Sequence, residues 1–110
     1  MEYEHPREYY RIMYPTAARP VFTAGGIEHE VVDVSEQGMR FRAAEGEVWE
    51  LDESVAGVVR FQKRDEAKVS GVVSRKVGQE IALRLSIGIP LKTIIDEQRY
   101  LREHHRGSAW

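Results

Sequence analysis

Apolar and polar residues alternate along much of this chain with a period of two, the spacing of a half-buried strand. Val55, Gly57, Val59 and Phe61 share one face against Ala56, Val58, Arg60 and Gln62, and Ile81, Leu83 and Leu85 repeat the pattern against Ala82, Arg84 and Ser86. Residues 19–23 are strand-like, Ala24-Gly25-Gly26 supplies a tight reversal, and residues 27–34 return as the antiparallel neighbour. A third strand covers residues 39–42. Residues 68–76 form a strand that alternates less cleanly, and residues 43–52 a loop or short edge segment around Trp49 and Leu51. Six short strands with tight turns predict a mainly β protein, a six-stranded antiparallel β-barrel.

The period changes after Pro90, which suits the opening of a helix. Leu91, Ile94, Ile95 and Leu101 form its apolar stripe, and Lys92, Asp96, Glu97, Arg99 and Arg102 its water face. This C-terminal α-helix is expected to plug or pack against the barrel. Residues 1–15 show neither period, carry Tyr3, Tyr9, Tyr10 and Tyr14, and are punctuated by Pro6 and Pro15, which predicts a flexible N-terminal arm. The expected organisation is an arm over 1–15, a barrel with its helix over 16–106, and a tail over 107–110 with Gly107 as a helix stop.

Composition narrows the function. The 110 residues suffice for one domain and leave no room for a second. A formal charge of −2, from 16 basic and 18 acidic residues, lacks the basic face that a nucleic-acid polymer requires. An anionic partner is therefore expected to be small and locally bound. With no cysteine there is no disulfide framework or thiol nucleophile, and with neither a signal peptide nor a membrane span the expected location is the cytoplasm.

Two short constellations carry the candidate chemistry. In the first, an apolar strand runs into Asp33-Val34-Ser35-Glu36-Gln37-Gly38 and leaves as Met39-Arg40-Phe41. Asp33 and Ser35 can bond to backbone N–H groups of a turn, and Gly38 tolerates positive φ and close approach of a ligand. Taken alone, these residues amount to an ordinary Asx-type reversal. A second copy of the spacing exists at Asp52, Ser54 and Gly57, but there Glu53 replaces the apolar residue and Gly57 falls inside an alternating strand. The second constellation is Arg7-Glu8-Tyr9-Tyr10-Arg11, two guanidinium groups four residues apart. That spacing recurs at Arg60/Arg64 and Arg102/Arg106 among the 12 arginines, so only its position ahead of the first hairpin and the Asp33 turn distinguishes it.

An arginine pair, about twenty residues, Asp-x-Ser-x-x-Gly, several short strands and a closing helix together resemble the PilZ domain, the bacterial receptor for cyclic di-GMP. Arg7 and Arg11 match the first motif and continue as Ile12-Met13-Tyr14-Pro15, and Asp33, Ser35 and Gly38 match the second. Residues 71–85 and Ile89-Pro90 resemble the last strands and the helix entry. Pro6 is a departure, since many members carry another arginine there, and this leaves one bound ligand or a stacked pair open. The resemblance implies a cyclic di-GMP-binding receptor or adaptor that orders its arm on binding and signals in trans to a partner protein. The implied binding residues are Arg7, Arg11, Asp33, Ser35 and Gly38, with cyclic di-GMP as ligand, no cofactor, no metal and no catalytic residue. A guanidinium fork bonds bidentately to a phosphate or to the O6/N7 edge of guanine, and a carboxylate accepts from guanine N1 and N2 or holds an arginine.

Three other readings compete. Catalysis finds no nucleophile elbow and no metal-spaced histidines, since His104 and His105 are adjacent at a helix end. A single-stranded nucleic-acid binder could stack bases on the arm tyrosines, but Asp33 and Glu36 beside that surface oppose it, and a salt series separates the two. A PilZ-like protein-interaction module that binds no nucleotide is the third. The intact motif set favours a competent site.

Overall fold

The computed structural model describes residues 11–104. The chain forms β1 (Ile12–Met13), a 3-10 turn (Thr16–Ala18), β2 (Val21–Ala24), β3 (Ile27–Ser35), β4 (Gly38–Arg42), β5 (Ser54–Arg60), β6 (Glu66–Val77), β7 (Glu80–Ile87) and α1 (Leu91–His104). Strands β2 to β7 follow one another around a sheet in the order β3-β2-β5-β6-β7-β4, all antiparallel, and β4 pairs back onto β3. This is the expected six-stranded barrel, closed so that no long strand edge is left open. The β2–β3 reversal places Gly25 and Gly26 at φ 60° and 77°, and a two-residue hairpin of type I′ requires positive φ at both positions.

Alternation sorts the strands as the sequence pattern requires. Val55, Val59 and Phe61 point inward, as do Ile81, Leu83 and Leu85. At one end of the core Phe41 packs against Phe22, His29 and Trp49, with ring centroids 5.0–5.2 Å apart. The loop between β4 and β5 contains no strand, and it is fastened over this end by Glu47. One Glu47 oxygen accepts from Trp49 Nε1 (3.0 Å) and from the Ala44 N–H (2.8 Å), and the carboxylate also faces Nε2 of buried His29 (2.9 Å). Burial alone would raise the Glu47 carboxyl, but these hydrogen bonds and the attraction of His29 together hold it below the ordinary carboxylate value.

The first described residues are bound into the wall of the barrel. β1 pairs with the end of β3 (Ile12 with Val34, Met13 with Asp33), and the Tyr14 N–H donates to the Val32 carbonyl at 3.0 Å. One edge of β3 is thus shared by β2 and then β1, while the other edge takes β4. Ile12 and Tyr14 enter the core and Met13 faces out, the period-two signature on a stretch too short to show it in sequence. Residues 12–15, expected in a flexible arm, are therefore a structural part of the barrel. The remainder of that arm, residues 1–10, lies outside the described residues, as do residues 105–110.

Helix α1 covers β1. Ile94 and Leu101 are buried as expected, whereas Leu91 and Ile95 are partly exposed. The expectation that Glu97 faces water is wrong: it is only 2% exposed, because positions 94, 97 and 101 share one helical face. Its carboxyl is sheltered by Tyr14, whose hydroxyl donates to Glu97 Oε1 at 2.6 Å, while Oε2 has no partner. Burial pushes the Glu97 carboxyl upward against the opposing Tyr14 hydrogen bond, and burial together with the Glu97 charge pushes the Tyr14 phenol upward. A carboxyl raised above its ordinary 4.5 contributes stability that is complete below that pH and declines as pH rises through the folded-state value. Glu97→Gln keeps an acceptor for Tyr14 and cannot ionise. Thermal melts from pH 4.5 to 8 are expected to show its Tm gaining progressively on the wild type, and a pH-independent difference would contradict this reading.

No helix among the described residues is long and apolar enough to cross a membrane.

Candidate functional site

Two irregularities in the strands build the site. Val31 pairs with Phe41, but the next pair along β3 and β4 is Asp33 with Arg40, so Val32 is the extra residue of a β-bulge. Without it Asp33 would follow Val31 onto the core face. With it, Asp33 turns outward beside Arg40, and Ser35 and Gly38 continue the same outer face. A second bulge at Ser74 does the same on β6, where Val73 pairs with Leu83 and Arg75 with Ala82. Arg75 is thereby moved from the inward face to the outer one, which explains why this strand alternates poorly in sequence.

The resulting depression, about 420 Å³, is lined by Arg11, Asp33, Gly38, Arg40, Arg75 and Glu80 together with neutral neighbours. Asp33, 3% exposed, is its anchor. Asp33 Oδ2 accepts from Arg40 Nη2 at 2.6 Å and from Arg40 Nε at 2.9 Å, and Arg11 Nη1 stands 3.7 Å away. Arg40 Nη1 reaches Glu80 Oε1 at 3.3 Å. The hydrogen bonds to Asp33 raise the Arg40 pKa further above its already high ordinary value, against a smaller opposing effect of burial. Arg11 is exposed, and among the described residues its guanidinium pairs with this carboxylate at the lip of the depression. Among the described lining residues three guanidinium groups face two carboxylates, which favours an anion with its own acceptor oxygens.

Of the five residues singled out in sequence, Arg11, Asp33 and Gly38 line this depression. Ser35 sits behind it, its Oγ 3.5 Å from the Gly38 carbonyl, and Arg7 lies outside the described residues. Two details of the expected turn change. Asp33 and Ser35 are strand residues, and the reversal itself is only Glu36-Gln37. Gly38 is not among the residues with positive φ; what it provides is room, because a Cβ there would lie 3.2 Å from Ser35 Oγ and 3.7 Å from the Leu83 carbonyl. Asp52, in the second copy, is an exposed loop residue outside the lining set, and Gly57 is required because a Cβ would overlap the Thr23 carbonyl.

Arg40, Arg75 and Glu80 were not anticipated. Arg40 was within reach, since it stands two residues from Gly38 on a strand and must share its face. Arg75 was not, because the poor alternation of β6 signals an irregularity without showing which residue is the extra one.

The Glu36-Gln37 reversal is also tied from behind. Leu85 N–H donates to the Gln37 carbonyl (2.9 Å) and Ile89 N–H to the Glu36 carbonyl (3.1 Å), with Gly88 pressed against the same Glu36 oxygen. The link from β7 to α1 thus supports the turn between two of the candidate site's strands.

The sequence matches the PilZ domain family over residues 5–103. The chain belongs to this family. PilZ domains are receptors and adaptors rather than enzymes, and cyclic di-GMP is the ligand of the family. No curated protein gives a significant match. Among solved structures, the Bacillus subtilis inhibitor of motility (MotI/DgrA) superimposes with a TM-score of 0.64 at 16% identity, covering 87% of this chain. This PilZ domain spans about half, 51%, of that protein's length, and the likeness is one of fold.

Proposed function

We propose that this PilZ domain is a cyclic di-GMP receptor in which Arg7, Arg11, Asp33, Ser35 and Gly38 bind the nucleotide and residues 1–11 close over it. The observation that carries this reading is the convergence on Asp33 Oδ2 of Arg11, from the first motif, and Arg40, across the hairpin from the second. A dianionic dinucleotide offers two phosphates to Arg7 and Arg11 and guanine edges to Asp33 and the guanidinium forks. The ordering cost of the segment before β1 is met by charge-assisted bonds, and the reordered surface is what a partner protein reads. The structural relative is named as an inhibitor of motility, and a motility protein is one candidate for that partner.

Calorimetric titration with cyclic di-GMP tests the reading, with GTP and a short single-stranded oligonucleotide as controls. Selective micromolar or tighter binding is expected, and its stoichiometry distinguishes one ligand from a stacked pair. Arg7→Ala and Arg11→Ala are each expected to lose more than about 1.5 kcal/mol of binding with the barrel still folded, the scale of a charged hydrogen bond. Absence of heat and of competition at high ligand concentration would replace this reading with that of a protein-interaction module.

A further inference from the structure

The sequence repeats the Arg-x-x-x-Arg spacing at Arg60 and Arg64, and here the spacing spans the β5–β6 turn. Arg64 N–H donates to the Phe61 carbonyl and Phe61 N–H to the Asp65 carbonyl, both at 2.8 Å, which closes a tight loop. Its cost is borne by Arg64, held at φ 79°, a left-handed conformation that side chains other than glycine seldom adopt. Such strain persists where surrounding contacts enforce it, and it recurs at ligand sites.

The loop faces a depression of about 510 Å³ that also receives Arg19, from the connector after the 3-10 turn, with Gln62 and Glu66 on its border. Its lining set shares no residue with that of the Asp33 depression. The three guanidinium groups are incompletely paired. Arg19 Nη1 meets Glu30 at 2.9 Å and Arg60 Nη2 meets Glu28 at 3.7 Å, but both glutamate side chains are largely exposed, so each pair is weak. Arg64 forms no ion pair with a described residue. The Nε–H of Arg19 is buried with no acceptor among the described residues. Donors exceed acceptors on one concave surface, and a tetrahedral phosphate can receive forks from several directions where a two-oxygen carboxylate cannot.

We propose that Arg19, Arg60 and Arg64 form a second anion site, separate from the Asp33 depression, for a small molecule bearing a phosphate or diphosphate. The site uses the β5–β6 turn as its clamp, and Arg64 supplies the guanidinium not already engaged.

Inorganic pyrophosphate is the probe, titrated into the 15N-labelled full chain at constant ionic strength while the backbone and arginine Nε–H resonances are followed. Saturable shifts are expected at Arg19, Arg60, Arg64 and residues 61–65, and they are expected to persist in Asp33→Ala. Arg60→Gln and Arg64→Gly are each expected to weaken the apparent affinity at least tenfold. Arg64→Gly separates binding from architecture, since glycine accepts positive φ freely and the Tm should hold or rise while affinity falls. Shifts that never saturate, that sodium chloride reproduces, that vanish in Asp33→Ala, or that survive unchanged in Arg64→Gly would each overturn the proposal. Because this test does not use cyclic di-GMP, its failure is independent of the reading of the first site.

Discussion

Asp33→Ala is expected to weaken cyclic di-GMP binding by about 100-fold or more, the sum of roughly two charged hydrogen bonds at about 1.5–3 kcal/mol each. The expectation exceeds that for either motif arginine because Asp33 acts twice. In the proposed complex it would supply acceptor oxygens to a guanine edge, and in the structure it already fixes Arg40 at 2.6 Å and stands 3.7 Å from Arg11. Without it both guanidinium groups lose their anchor, and the bulge at Val32 presents a methyl group to the ligand. Asp33→Asn should retain part of the geometry but not the charge, and fall between. Asp52→Ala, in the matching copy of the motif, is expected to bind within about twofold of wild type, a difference under 0.5 kcal/mol. Calorimetry on the three variants decides, and loss at Asp52 with retention at Asp33 would show that the wrong copy had been identified. Far-UV spectra should stay unchanged, because Asp33 lies on the outer face of the barrel.

The largest effect on folding is expected from one added methyl group. Gly88→Ala places a Cβ on the Glu36 carbonyl oxygen, an overlap that only backbone displacement can relieve. Overpacking of this kind costs about 1–3 kcal/mol and sometimes more, and here the displacement also strains the Ile89 to Glu36 hydrogen bond. At roughly 4–8 °C per kcal/mol for a domain of this size, Tm should drop by on the order of 10–20 °C. Gly78→Ala is the informative control. Gly78 has positive φ but open space around it, so its cost should stay near about 1 kcal/mol. Equal effects at the two positions would mean that conformation, and not contact with the turn, sets the requirement at Gly88. Ligand titration of Gly88→Ala should also reveal weakened binding, because the reversal it disturbs connects Ser35 to Gly38.

The strands were legible wherever one face meets the core without interruption. Val55 to Phe61 and Ile81 to Leu85 declare themselves by simple alternation, and Gly25-Gly26 declares the first hairpin by its dihedral requirement. The site was legible only as a set of motif positions, since its geometry depends on departures from alternation. The bulge at Val32 decides that Asp33 faces outward, and the bulge at Ser74 decides the same for Arg75; the broken alternation does not say at which residue either one falls. Glu97 was misread for a related reason. A charged residue between two polar helix positions looks solvated until Tyr14, 83 residues away in sequence, is found to supply its hydrogen bond. Tyr14 in turn was assigned to a flexible arm because a two-residue strand is too short to show a period.

That short strand has a kinetic meaning. β1 is fastened to β3 over two residue pairs and the Tyr14 amide, so its opening is a small local event rather than part of global unfolding. Amide exchange at Tyr14 should therefore run ahead of exchange in the middle of β6, which is paired on both sides. A ligand that grips Arg11 and Asp33 together would bridge the same two strands from the outside. Saturating cyclic di-GMP should accordingly slow exchange at Tyr14 by about the factor 1 + [L]/Kd that linkage allows, while the β6 amides that exchange through other local openings change less. The opening equilibrium of one short strand would then report whether the proposed site is occupied.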